Sequence, residues 1–246
     1  MCETCGCGDT AVVDVEVQES LLAENDHLAG HNREHFREAG LLALNLMGSP
    51  GSGKTTVLEA TRARTDLRLS ALSADLATDR DAARLQAAGI AARSITTGSA
   101  CHLDARMVHE ALHHWDAGWD ADVLCIENVG NLVCPAIYDL GQDANVIVLS
   151  VTEGPDKPLK YPVMFRKADL VLLTKIDLLP YLRGMDVEDI RAALERTMPE
   201  VRMIPLSAET GEGVADWVGW LEGRRNAVAS RATAAAADRD IMVQPG

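Results

Sequence analysis

The run Gly48-Ser49-Pro50-Gly51-Ser52-Gly53-Lys54-Thr55 has the spacing G-x-x-x-x-G-K-[ST]. The chemistry such a run supports is phosphate binding. Its glycines let successive backbone N–H groups close around phosphate oxygens, Lys54 can reach the β- and γ-phosphates, and the Thr55 hydroxyl can ligate Mg²⁺. Thr56, the next residue, is expected among the nucleotide contacts. The context fits, because an apolar run at 41–47 precedes the loop and a helical pattern over 54–64 follows it. The phosphates would then meet a helix N-terminus, which favours anions.

A phosphate loop does not name the base. Thr174-Lys175-Ile176-Asp177 closes the apolar run 170–174. A carboxylate at Asp177 can accept two hydrogen bonds, from the N1–H and the exocyclic amine of guanine, and adenine offers no such pair. Ser207-Ala208 follows the last apolar run, where a backbone N–H can meet the guanine O6. These two elements resemble the base-recognition motifs of GTPases, with Thr174 standing where Asn is usual. A threonine hydroxyl is shorter than an Asn amide, so its contacts to the base and to the phosphate loop stay open. Behind a phosphate loop, the pair favours GTP over ATP. Glu127-Asn128-Val129-Gly130 resembles the Asp-x-x-Gly loop that senses a γ-phosphate, with Glu in place of Asp. Asp75 closes the second apolar run and can hold Mg²⁺ directly or through water, whereas Asp81 reads as an acid favoured at a helix N-terminus. Lys54, Asp75 and Glu127 are the expected catalytic groups, and Gly130 and Lys175 belong with the nucleotide contacts. No glutamine or arginine stands out to position water or stabilise charge, so hydrolysis is expected to be slow.

The cysteines suggest a second chemistry. Cys2-x-x-Cys5-x-Cys7 packs three thiolates into six residues, with Gly6 and Gly8 allowing tight wrapping. Thiolates select soft or borderline metals. Zn²⁺ would want a fourth tetrahedral ligand. The α-amine of Cys2, exposed if Met1 is removed, would complete an S₃N set suited to square-planar Ni(II). A redox or accidental cluster is the competing reading. Cys101-His102 lies just beyond the run 93–97, and Cys134-Pro135 just beyond Gly130. In a parallel sheet both loops would leave the edge that holds the phosphates, bringing two soft ligands and one imidazole together. Taken singly, Cys101 and Cys134 read as small buried hydrophobes, and Cys125, inside an apolar run, is assigned that way. His27, His31 and His35 share one helix face, which reads as solvated before it reads as a weak metal site. His109, His113 and His114 read as helix-surface residues.

The elements that must position these groups follow from periodicity. Apolar runs at 41–47, 69–73, 93–97, 122–126, 145–151, 170–174 and 202–206 are short and bounded by turn residues, as buried strands are. Helical patterns lie between them at 54–64, 79–88, 103–116, 186–197 and 213–225. The alternation predicts an α/β fold of the P-loop NTPase type: a mostly parallel sheet of about seven strands with helices on both faces. Residues 1–10 are expected as a flexible Cys-rich metal-binding arm. Residues 11–40 are expected as a helical lead-in with Ser20 as N-cap and Gly40 as terminator. Residues 41–225 are expected as the nucleotide domain, and 226–246 as a frayed helix or disordered tail. The chain of 246 residues is long enough for a real core, and its 47% apolar content excludes a mainly disordered chain. Aromatics are only 4%, so Ala, Val, Leu and Ile must fill that core. The formal charge of −14 argues against nucleic acid and anionic membrane surfaces as partners. The N-terminus lacks the basic and apolar regions of a signal peptide, which suggests the reducing cytosol and metal or redox chemistry for the cysteines.

Taken together, the N-terminal Cys-x-x-Cys-x-Cys, the stretch Leu44–Thr56, Thr97-Gly98 with Cys101–Ala105, Glu127–Pro135 and Thr174–Tyr181 resemble the HypB family. These are nickel-incorporation GTPases of [NiFe]-hydrogenase maturation, within the SIMIBI class of P-loop GTPases. The resemblance covers residues 1–8 and 40–225. It implies a cytoplasmic nickel chaperone or insertase that dimerises with GTP and works with a HypA-like metallochaperone on the hydrogenase large subunit. It also implies that Cys101, His102 and Cys134 form a second Ni²⁺/Zn²⁺ site at the dimer interface. Many relatives carry a long His-rich insert, and this chain has only three spaced histidines, so bulk nickel storage is not expected. Related GTPases serving urease or a cobalamin enzyme are the nearest rivals. A urease-type protein would be expected to carry Cys-x-His in the metal loop, whereas Cys134-Pro135 is followed here by Ala136. A non-enzymatic metal-storage or redox-sensing protein with a vestigial phosphate loop is the rival of a different class.

Overall fold

The computed structural model describes residues 15–75, 78–98, 100–200 and 202–242, with side chains described from residue 21 to residue 231. The Cys-rich arm, with Cys2, Cys5 and Cys7, lies outside the described residues. Among those described, seven strands form one parallel sheet in the order β3-β2-β4-β1-β5-β6-β7. They are β1 (Leu42–Met47), β2 (Leu69–Asp75), β3 (Ala91–Thr96), β4 (Val123–Glu127), β5 (Ala144–Ser150), β6 (Leu170–Thr174) and β7 (Arg202–Pro205). The helices are α1 (Val15–Glu38), α2 (Lys54–Arg62), α3 (Arg80–Ala87), α4 (Ala105–Leu112), α5 (Asp116–Trp119), α6 (Lys157–Lys160), α7 (Pro162–Phe165), α8 (Val187–Thr197) and α9 (Val214–Met242).

The central strands are apolar at nearly every position because both faces are covered. Side chains alternate between faces, and the core divides accordingly. Leu42, Leu44 and Leu46 of β1 join Val57 and Leu58 of α2, Leu85 of α3 and Trp217 of α9 in one cluster. Leu41 and Ala43 point the other way, into a cluster with Phe36 of α1 and Val108 of α4. Farther along the sheet, Val171 and Leu173 of β6 pack with Phe165 and Ile190 in a third cluster. Trp217 is fully buried, and its indole N–H donates to Thr61 Oγ1 at 2.8 Å, tying α9 to α2.

Strand β1 lies between β4 and β5, with Leu46 paired to Glu127 and Met47 to Ile147. The chain leaves β1 toward β2 on one side and later fills β5, β6 and β7 on the other. The loops after β1, β4 and β5 therefore meet where such folds bind ligands, outside the carboxyl ends of the strands.

Several local expectations need correction. α1 begins at Val15, so Ser20 lies inside the helix rather than capping it. No Gly or Pro interrupts 15–20, and Ser in a helix interior costs little. Gly40 does terminate it, in a left-handed conformation with φ 62°, while the Leu41 N–H bonds Phe36 O. The single helix expected over 103–116 is two. Asp104 caps α4, accepting from the Met107 N–H at 2.8 Å, and the chain leaves the helical conformation at Trp115, φ −139° and ψ 80°, before α5 starts. The third strand sits two residues earlier than the run 93–97 suggests, at its start. The pattern over 213–225 continues as α9 to Met242, consistent with the helix propensity of its Ala-rich, charged sequence. The short α6 and α7 between β5 and β6 have no counterpart in the sequence reading.

Candidate functional site

The loop between β1 and α2 is shaped by backbone. Gly51 and Gly53 have φ of 74° and 101°, a region that favours glycine. A Cβ on Gly48 would collide with Val148 O of β5 and lie 2.8 Å from Ser52 Oγ. Ser52 Oγ is buried with no hydrogen-bond partner among the described residues. Lys54, 7% exposed, has its ammonium 3.4 Å from both Gly48 O and Ser49 O, beyond a strong hydrogen bond's range of about 2.7–3.2 Å. Burial pushes its pKa below the usual lysine range, and Glu127, Asp81 and Glu153 pull back. An underused ammonium and an orphaned buried hydroxyl inside a glycine loop fit an anion with several oxygens.

Glu127, at the end of β4, is 3% exposed. It accepts from the Thr55 hydroxyl at 2.7 Å and from the Ser73 hydroxyl at 3.2 Å. Burial pushes its carboxyl up, against the hydrogen bond from Thr55 and the charge of Lys54. Asp75, closing β2, accepts from the Thr78 hydroxyl at 2.7 Å. These groups line a cleft of about 400 Å³ together with Gly51, Gly53, Thr56, Gly130 and Lys175. The donors that crowd it are hydroxyl and carboxylate oxygens, the set that hard Mg²⁺ takes.

One cleft residue, Arg84, escaped the sequence reading, and Asp81 was read only as a helix N-terminal acid. Asp81 lines the cleft as well as standing in the first turn of α3, and Arg84 lines it one turn further on. Their i,i+3 spacing after the acid that closes β2 was the available signal. Arg84 is not a spare cation: its guanidinium grips Glu59 at 2.7 and 3.1 Å and touches the Thr56 hydroxyl at 3.2 Å. Glu153 was also missed. It accepts from the Ser49 hydroxyl and closes a capping box with Ser150 beyond β5.

Thr174 makes the phosphate-loop contact that its short hydroxyl left open, donating to Ser52 O at 2.6 Å. Lys175, left-handed at φ 61°, lays its ammonium 2.7 Å from Gly51 O. Asp177 follows in a 3₁₀ turn, Ile176–Tyr181. Ser207 is fully buried, its N–H bonded to Glu212 O and its hydroxyl accepting from the Thr210 N–H, in a turn that carries Ala208. Asp177, Ser207 and Ala208 do not line the phosphate cleft. They leave the neighbouring parallel strands β6 and β7 at the same edge.

The loops after β3 and β4 bring Cys101, His102 and Cys134 together, their ligand atoms all within 4.8 Å of one another. The two sulfurs are 2.9 Å apart, and Cys101 Sγ is 3.8 Å from His102 Nδ1. The His102 ring stacks on Tyr138, with centroids 4.0 Å apart. Burial pushes its pKa down against the pull of Asp104, which favours the neutral, ligating imidazole. Two sulfurs and an imidazole suit a borderline-soft cation such as Ni²⁺ or Zn²⁺. It is the one such cluster found among the described residues. His27, His31 and His35 are exposed, and although the first two rings lie 4.9 Å apart they assemble no such group. His109 is half-buried, bonded to Asn32 at 3.2 Å. Cys125 packs in the core with its thiol pushed up to about 12 by burial.

A parallel sheet with this loop between its first strand and helix defines a P-loop nucleotide-binding domain. Residues 42–205 match the family model described as CobW/HypB/UreG, nucleotide-binding domain. The chain belongs to this family, in its HypB branch. It is 49% identical over 218 residues to hydrogenase maturation factor HypB of Azotobacter chroococcum, an alignment covering 87% of this chain and 70% of that one. Its fold matches HypB from Archaeoglobus fulgidus with a TM-score of 0.76 at 41% identity, over 83% of this chain and all of that one. HypB from Helicobacter pylori, solved in complex with nickel, matches with a TM-score of 0.79 at 40% identity, over 82% and 95% of the two chains. Among the described residues no helix is long and apolar enough to cross a membrane.

Proposed function

We propose that this chain is a GTP-hydrolysing nickel metallochaperone of [NiFe]-hydrogenase maturation, holding its cargo at Cys101, His102 and Cys134 and releasing it according to nucleotide state. The observation that carries this is continuity. Glu127 contacts the phosphate-loop Thr55, and the same segment reaches Cys134 seven residues later, beside Cys101 and His102. The HypB relatives and the nickel-bound HypB structure support the choice of process and metal.

In this reading the loop amides and Lys54 bind the β- and γ-phosphates. Thr55 and Asp75, with Glu127 behind Thr55, hold Mg²⁺, which when bound neutralises phosphate charge. Asp177 selects guanine, with Thr174 and Lys175 bracing its loop against the phosphate loop and Ala208 presenting an N–H to the base. No glutamine lines the cleft among the described residues, and Arg84 is engaged by Glu59, so turnover without a partner is slow. Three protein ligands leave a tetrahedral site incomplete. A second copy in a GTP-dependent homodimer completes it, and the protein works with a HypA-like metallochaperone to deliver the metal to the hydrogenase large subunit. The Cys2, Cys5 and Cys7 arm is a separate Ni²⁺ site, and the protein works in the cytoplasm without nucleic acid or membrane.

The test is base exchange. Asp177→Asn should lose GTP and gain XTP, by roughly 10⁴ in relative preference, since the wrong base leaves buried polar groups unpaired. Mg²⁺-dependent hydrolysis of each triphosphate is the readout, and unchanged preference would sink the assignment.

A further inference from the structure

The segment after β4 carries an asparagine that neither phosphate nor metal chemistry uses directly. Asn131 is half-buried between the two loops that supply the sulfurs. Its Nδ2 donates to Cys101 O at 3.1 Å, and its Oδ1 accepts from the N–H of Val133, the residue before Cys134, at 2.9 Å. Its backbone pairs with Gly48, first residue of the phosphate loop, in an isolated antiparallel bridge. The preceding Gly130 is pressed against that loop too. A Cβ there would lie 2.8 Å from Pro50 Cγ and 2.9 Å from Pro50 N. A single residue thus touches the nucleotide loop through its backbone and both sulfur loops through one side chain. The planar amide suits this place, since it supplies a donor and an acceptor at fixed spacing. Asn128, 1% exposed, adds a parallel strut: its Oδ1 accepts from Leu103 N, next to His102, at 3.2 Å, and its Nδ2 donates to Asn45 of β1 at 3.1 Å.

We propose that Asn131 is the positioning residue that sets the spacing of Cys101 and Cys134 and transmits the state of the phosphate loop to it. Movement of Gly48 and Pro50 when a γ-phosphate arrives shifts the Asn131 backbone. The amide then carries Cys101 O and Val133 N with it, so the gap between the sulfurs differs between nucleotide states. Such coupling is reciprocal, so metal at the triad changes nucleotide affinity by the same factor. The inference rests on the reading of Cys101, His102 and Cys134 as a metal site.

The experiment uses the full chain with Cys2, Cys5 and Cys7 changed to Ser, so that only the triad reports. Ni²⁺ is titrated against a competing chelator with GDP and with a non-hydrolysable GTP analogue, following the sulfur-to-nickel charge-transfer bands. The parent chain should show a difference of about fivefold or more between the two states. Asn131→Asp keeps the acceptor for Val133 but loses the donor to Cys101. Asn131→Ala loses both. Each should bring the ratio to about twofold or less and shift the bands, while GDP affinity without metal stays within about threefold. A parent-like ratio in both variants overturns the proposal. Equal Ni²⁺ affinity in both states of the parent chain overturns it together with the coupling. Undiminished Ni²⁺ binding in Cys134→Ala overturns the metal reading beneath it.

Discussion

The phosphate loop and the cysteine–histidine cluster share one edge of one sheet, yet they are built differently. The loop between β1 and α2 is made of backbone: left-handed glycines, a Gly48 with no room for a Cβ, and a lysine whose carbonyl contacts are long. It is a preformed cradle on contiguous residues. The cysteine–histidine cluster is made of side chains on two loops more than thirty residues apart, brought together by the places of β3 and β4 on either side of β2 and linked by the side chains of Asn131 and Asn128. A contiguous cradle takes its shape from local conformation. A convergent cluster depends on everything that fixes its two loops, the cradle included, and so registers small shifts there.

Substitutions can separate the two. Of the substitutions that separate them, the largest effect is expected from Lys54→Ala, which on the proposed reading would remove two charge-assisted hydrogen bonds to phosphate, at roughly 1.5 kcal/mol or more each. Calorimetry should show GTP weakened by about 100-fold or more with Ni²⁺ affinity at the triad, in nucleotide-free protein, unchanged. Loss of both would mean that the cluster needs the cradle merely to fold. The converse is Cys134→Ala. It should cut Ni²⁺ affinity by more than about tenfold, the smaller loss seen even for groups that only support a ligand. Its GDP affinity should match the wild type.

How much of this was legible follows the same division. The cradle could be read because its requirements are local: the glycine spacing, the Lys-Thr pair, the apolar strand before it. Gly40 could be read as the end of α1 for the same reason. The convergence of Cys101, His102 and Cys134 was legible only through the parallel sheet, as a consequence of topology, with small buried hydrophobes as the competing account. Asp81 was read as a helix N-terminal acid, which it is, and Arg84 was missed; only the packing of α3 against α2 turns both toward the cleft. Ser20 misled because a good capping residue is also tolerated within a helix. Asn131 gave no signal of its own, since nothing in a lone asparagine shows which carbonyl its amide will reach.

Smaller effects sharpen the contrast. Thr174→Ala removes the hydroxyl bond to Ser52 O, worth about 1 kcal/mol, and should weaken nucleotide about fivefold by fluorescence titration while leaving the metal cluster alone. The smallest effect belongs to the third described cysteine. Cys125 is 1% exposed with its thiol pushed up to about 12, so near neutral pH a thiol reagent should modify half-exposed Cys101 and spare Cys125. Mass spectrometry of the labelled native chain reads this directly, and comparable rates at the two sites would show that β4 opens.

Trp217 gives the nucleotide site an optical gauge. Its indole N–H holds Thr61 near the far end of α2, the nine-residue helix that begins with Lys54. If phosphate binds at the Lys54 end, as proposed, a tilt of this short helix would be felt at the indole bonded near its other end. Its ring stacks on Trp220, centroids 5.4 Å apart, so a slip between them would alter emission yield as well as colour. Water does not reach Trp217, whereas Trp115, Trp119 and Trp220 are half-buried, so replacing those three with Phe isolates the buried indole's response. The chain carries its own fluorophore on the side of α2 away from the chemistry, where no label needs to be attached to follow phosphate arriving and leaving.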